Sequence, residues 1–143
     1  GCTQWLNDAV TLLEENDQIT NVVVGFRYTY ALYGDNVDHY PSVPHRVTME
    51  VAGYENAAEA ELLNLYWRNL QDLIKRLQLA GKKVFVLYPI PELPLDINKA
   101  TNPFWVFGDQ HVLELDKATS AKYYQQRHAF ILEKFERLEF APT

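Results

Sequence analysis

Two apolar runs narrow what this chain can become. Val22 to Gly34 reads VVVGFRYTYALYG, and Gly81 to Pro91 reads GKKVFVLYPIP. Each follows a stretch with helical spacing, and each halts at polar and aromatic residues. A β-branched run that follows a helix and ends in a turn is the pattern of a strand in an open α/β sheet. In such sheets, ligands gather where the strands end. Any chemistry is therefore expected around Arg27, Tyr28 and the turn from Tyr88 to Glu92.

The rest of the chain falls into place around these runs. Thr3 opens a helix to about Asn16, with Leu6, Ala9, Val10 and Leu13 on its apolar face. Ile19 to Phe26 is the first strand, apolar enough to be covered on both faces. From Arg27 to Gly53 the pattern breaks down: Gly34-Asp35-Asn36 is a turn signal, and Pro41 and Pro44 oppose helix. Arg46 to Val51 reads as a short strand at most. Asn56 and Glu59 form a capping-box start for a helix to Ala80, with Leu63, Tyr66, Leu70, Leu73, Ile74 and Leu77 as its stripe. Asp72 is spaced to pair with Arg76. Gly81 ends that helix, and Val84 to Tyr88 is the second strand, closed by Pro89 and Pro91. Glu92 to Asp116 is a long connection. Thr119 or Ser120 then starts a last helix carrying Ala121, Tyr124, His128, Ile131, Phe135 and Leu138.

This order predicts an α/β fold: a three-layer α/β/α arrangement with a parallel sheet, the two strands joined by a helical crossover. The 143 residues are read as a single domain, 1–143. A sheet of two strands is thin. Either further strands lie in the long loops, or the domain extends past both ends of the chain.

Composition excludes some functions. The net charge of −6 and the scattered Lys75-Arg76 and Lys82-Lys83 pairs argue against a nucleic-acid partner. No apolar run is long enough to span a bilayer. The chain opens mid-domain without an initiator Met, as an excised segment does, so the lack of a leader says little about compartment. Cys2 is the only cysteine, which removes an internal disulfide and a cysteine zinc site. It either pairs outside the segment or is an inert thiol. No Gly-rich phosphate loop is present, and no cofactor is expected. Nine Tyr, seven Phe and three Trp suit a packed core, and also a sugar-binding surface.

The candidate residues each carry two readings. Arg27, at a strand end, can donate several hydrogen bonds to a carbonyl oxygen or a sugar hydroxyl; its structural alternative is an ion pair with Glu92 or Asp35. His39 and His45, near Asp35 and Asp38, suit a metal or base–orienter pair, or simply a solvated loop. His111 with Asp109 and Asp116 reads the same way. His128 falls on an apolar stripe and reads as a hydrogen-bonded core histidine. Ser42 lies between prolines and is no nucleophile turn. Ser120 reads as a helix cap. Phe104, Trp105 and Phe107 either pack under a loop or stack on a sugar ring.

At the two strand ends the chain resembles a known family, the SGNH-type (GDSL-like) domain fused to bacterial acyltransferase-3 membrane O-acyltransferases. Gly25, Phe26, Arg27, Tyr28, Tyr33 and Gly34 match its first strand end. Gly81, Lys82, Lys83, Pro89, Pro91 and Glu92 match the second, and the late helix with Gln126, Arg127 and Leu138 fits as well. The similarity runs from about Cys2 to Leu138. It implies a flavodoxin-like parallel sheet and a parent that O-acetylates surface polysaccharide on the periplasmic or extracytoplasmic face of a bacterial membrane. The implied partners are a glycan or acyl-ester substrate and the parent's membrane acyltransferase domain. The residues alone leave a cytoplasmic location open.

The chain also departs from that family. SGNH hydrolases carry a Gly-Asp-Ser turn and an Asp-x-x-His near the C-terminus. Here Gly34-Asp35 is followed by Asn36, Gly108-Asp109 by Gln110, and Asp109-Gln110-His111 and Asp38-His39 have the wrong spacing. The resemblance places this segment between the two missing blocks, so no Ser-His-Asp triad is expected within it. Arg27, Tyr28 and Glu92 remain as oxyanion or substrate-contact candidates. The other function open to the chain is a non-catalytic α/β module that binds a glycan or a partner protein.

Overall fold

A computed structural model describes residues 2–37, 39–94 and 120–137. The elements run α1 (Cys2–Glu15), β1 (Asn21–Val24), α2 (Tyr28–Tyr33), α3 (Glu59–Leu79), β2 (Lys83–Val86), α4 (Ala121–Arg127) and α5 (Ala129–Glu136). They divide into two compact units: Gly1–Phe26 with Val51–Leu87, and Arg27–Glu50 with Tyr88–Thr143.

The first unit holds the sheet. β1 and β2 pair in parallel, with Val22 opposite Val84 and Val24 opposite Val86. Leu87 N–H donates to Val24 O (2.9 Å) and Lys83 N–H to Thr20 O (2.8 Å), which extends the ladder at both ends. The class is thus α/β with a parallel sheet, as the sequence predicts. The strands are shorter than expected, and their cover differs. Val22 and Val24 are buried, but Val23 is 63% exposed and Phe85 45%. The two-faced apolar run reports what the strand tolerates, whereas the structure covers only alternate residues.

α3 joins the strands as the crossover and packs on both β2 and α1. Its buried residues are Trp67, Leu70, Ile74 and Leu77. Leu63, Tyr66 and Leu73 are only half-buried, so the stripe is rotated toward Trp67. The expected Asn56–Glu59 capping box does not form. Ala58 is the N-cap, and Glu59 and Glu61 lie in the first turn, where the helix dipole favours carboxylates. At the other end Gly81, at φ 77°, donates its N–H to Gln78 O (2.9 Å), and Lys82 N–H donates to Leu77 O (3.0 Å). These two bonds are the Schellman pattern, which needs a left-handed residue. A Cβ on Gly81 would meet nothing within 4 Å, so Gly81→Ala tests backbone conformation alone. It is expected to lower unfolding free energy by about 1 kcal/mol in a denaturant titration. Wild-type stability in that variant would mean the helix stop does not depend on glycine.

Two side chains tie α1 to this frame. Lys82 is 5% exposed, and its Nζ donates to Asn16 O (2.8 Å) just past the end of α1, where a cation suits the helix C-terminus. Arg76 makes a two-pronged pair with Glu14 (3.0 and 2.8 Å) rather than the expected pair with Asp72. That pair is solvent-exposed and contributes little.

The second unit contains a helix that the sequence pattern does not reveal. α2 occupies the start of the segment read as irregular, and it buries Tyr28, Thr29, Leu32 and Tyr33. It stops at Gly34 (φ 71°). Arg46 to Val51 is not a strand; its tie to α2 is Thr48 N–H donating to Leu32 O (2.8 Å). Ser120 caps α4 as predicted, its side chain accepting from Tyr123 N–H at 3.2 Å. The single last helix expected from the spacing is instead α4 and α5, meeting at His128 (φ −102°, ψ 12°). Main-chain bonds continue across the break, from His128 N–H to Tyr124 O (3.0 Å) and from Leu132 N–H to His128 O (2.9 Å). Ile131 and Phe135 are buried, and Phe135 meets the rings of Tyr28 and Tyr88 edge-on at 5.4 and 5.5 Å.

Candidate functional site

The polar centre of the second unit is Arg127. It lies four residues before Ile131, so helical spacing turns it inward with the apolar stripe. Its side chain is 0% exposed. Nε donates to Glu92 Oε2 (2.9 Å), Nη1 to Pro44 O (3.1 Å) and Nη2 to Gly34 O (2.6 Å). Nη2 also approaches Glu92 Oε2 at 2.9 Å, and that carboxylate's side chain is 6% exposed. One guanidinium therefore binds both ends of the Gly34–Pro44 loop and the turn that follows β2. A planar fork with five donors suits this job in a way an ammonium does not.

Next to it, His128 and Thr29 form a second buried pair, Nδ1 to Oγ1 at 2.6 Å. His128 is 2% exposed, and its Nε2 is buried with no hydrogen-bond partner among the described residues. Burial, helped by the positive charge of Arg127, holds its pKa down at about 4. The ring is therefore neutral at pH 7. Either Thr29 donates to Nδ1 and Nε2–H is unpaired, or Nδ1–H donates to Thr29 and the Nε2 lone pair is unpaired. Asn36, 2% exposed, donates from Nδ2 to Tyr123 Oη (3.0 Å). Burial raises the Tyr123 pKa, so the phenol stays neutral.

The residues singled out from sequence occupy three settings. Arg27 is exposed at the N-cap of α2, with its Cζ 4.1 Å from the centre of the Tyr30 ring. Tyr28 is 1% exposed and belongs to the core. Glu92 serves Arg127, so the arginine that ties the loops together is Arg127 rather than Arg27. His39 and His45 are exposed, and His45 packs edge-on to Tyr33 at 5.9 Å. Among the described residues no group of three or more His, Cys, Asp or Glu is arranged to hold a metal. His128 is the buried, hydrogen-bonded histidine that its stripe position predicts. Asp38, Phe104, Trp105, Phe107, Asp109, His111 and Asp116 lie outside the described residues. The role of Arg127 was missed, although a cation on an apolar stripe is a signal for a buried anionic partner.

These features meet an independent comparison. A family model described as "SGNH domain (fused to AT3 domains)" matches residues 1–142. The chain belongs to this family. Searches of curated proteins and of solved structures return no match. The SGNH domain is thus one of a family whose members are fused to AT3 acyltransferase domains, which points to a membrane-associated parent. No helix among the described residues of the SGNH domain is long and apolar enough to cross a membrane.

Proposed function

We propose that this SGNH domain is the extracytoplasmic part of a carbohydrate O-acyltransferase that passes an acetyl group to a cell-surface glycan. The family match over residues 1–142 carries this reading. In it, the AT3 domain of the same polypeptide is the membrane partner, and the serine, histidine and aspartate of the triad come from sequence outside these residues.

Acyl transfer through a serine ester passes through a tetrahedral intermediate whose oxyanion needs aimed donors. Arg27 suits that role: its guanidinium is permanently charged, exposed and held over Tyr30 at 4.1 Å. Tyr28 and Glu92 act through position. Tyr28 buries the first turn of α2, which fixes the residue before it. Glu92 holds the turn after β2 through Arg127. Replacing Arg27 with alanine in the intact protein is expected to cut kcat by about 10²–10³ while the melting temperature stays unchanged, with lysine restoring part of the rate. Turnover equal to wild type in Arg27→Ala would remove the residue from the mechanism.

A further inference from the structure

A groove of about 490 Å³ opens in the second unit, and neither Arg127 nor Arg27 lines it. Its lining includes Tyr88, Tyr124, Gln125, Ala129, Glu133 and Glu136. The volume falls within the range of small-molecule sites. Tyr88 follows closely on β2 in the chain and is 58% exposed.

The lining is fixed on one side and polar on the other. Tyr124 donates its hydroxyl to Pro89 O (3.0 Å), and its ring lies 4.8 Å from that of His128. Burial raises its pKa, so it remains the donor that bond requires. Tyr88 meets Phe135 edge-on at 5.5 Å, which orients the ring. Gln125 and Glu136 are exposed helix residues, and Glu133 pairs with Arg137 at 2.9 Å. An aromatic wall beside an amide and carboxylates matches a ring with an apolar C–H face and a rim of hydroxyl donors. It does not match an anion, because two of its lining side chains are carboxylates and Arg137 is already paired with one of them. Nor does it match an acyl tail, because the lining is not continuously apolar.

We propose that this groove holds a neutral pyranose unit of a glycan, its ring stacked on Tyr88 and its hydroxyls donated to the carboxylates of Glu133 and Glu136. The inference rests on the reading of a glycan acceptor, and it adds where that acceptor is gripped.

The test titrates the intact protein with maltotriose and triacetylchitotriose, both neutral, using trigalacturonate as the anionic control. Neutral trisaccharides are expected to bind with Kd near 1 mM, and the control at least tenfold more weakly. Tyr88→Ala is expected to weaken binding at least tenfold, whereas Tyr88→Phe retains it. Gln125→Trp fills the groove from an exposed helix position and is expected to block binding without touching the core. Unchanged affinity in both Tyr88→Ala and Gln125→Trp overturns the proposal, as do failure of both neutral trisaccharides to bind and equal binding of the control. Acyl transfer is followed separately. Saccharide binding without transfer activity would overturn the acyltransferase reading and leave the groove standing. Transfer with a glycan KM indifferent to Gln125→Trp would do the reverse.

Discussion

Arg127→Met is expected to destabilise the protein by about 3–5 kcal/mol, the cost of leaving a buried carboxylate without its cation. Glu92, with its side chain 6% exposed, would then face no positive partner, and the carbonyls of Gly34 and Pro44 would each lose a donor. Arg127→Lys keeps the charge but cannot reach three acceptors in three directions, so it should recover only part of the loss. The double variant Arg127→Met with Glu92→Gln separates the effects. It removes the stranded charge and should be more stable than Arg127→Met alone. Urea unfolding followed by circular dichroism measures all three. A single variant within about 1 kcal/mol of wild type would show that the guanidinium network is not what holds these segments.

Acid is expected to weaken the fold through His128. Its native pKa is about 4, against an ordinary value of 6.5 in the unfolded chain. Well above pH 6.5 both states carry a neutral ring, and stability is complete. As pH falls, the unfolded state takes up a proton that the native state refuses, so stability drops. Linkage gives a loss of about 2 kcal/mol by pH 5 and about 3 kcal/mol by pH 4, where the native ring begins to charge and the decline levels off. Carboxylates titrate in the lower part of this window too. The measurement is therefore the difference in pH dependence between wild type and His128→Gln, whose amide keeps a partner for Thr29 but cannot titrate. Parallel profiles for the two proteins from pH 8 to 4.5 would mean that the ring is not held neutral by burial.

Local rules carried the sequence reading as far as local rules reach. The parallel pairing of two strands, the glycine stop at Gly81, the Ser120 cap and the buried His128 each follow from a run, a spacing or one residue's backbone needs. α2 escaped because six residues give too little periodicity to stand out between turn signals. The capping box failed because a motif of two residues competes with the packing of a 21-residue helix, which starts at Glu59 after Ala58 and buries Trp67, Leu70, Ile74 and Leu77. The Arg127 network was the least readable. Its partners lie 35, 83 and 93 residues away, and two of them are main-chain oxygens, which every residue possesses. Arg27, read as a strand-end cation, is the N-cap of α2, because β1 stops at Val24.

That last property of Arg127 has an evolutionary consequence. It grips the loop after α2 by carbonyl oxygens, so the grip is indifferent to which side chains the loop displays. Within that loop His39 and Ser42 are exposed, like interchangeable bits in a fixed chuck. Gly34 and Asn36 are exceptions: at φ 71° a side chain on Gly34 is strained, and a Cβ there would come within 3.1 Å of Thr48 Oγ1, while Asn36 is buried and bonded to Tyr123 Oη. Drift should therefore accumulate at the exposed positions between Gly34 and Pro44 while Asn36 and the anchor at the two ends stay constant.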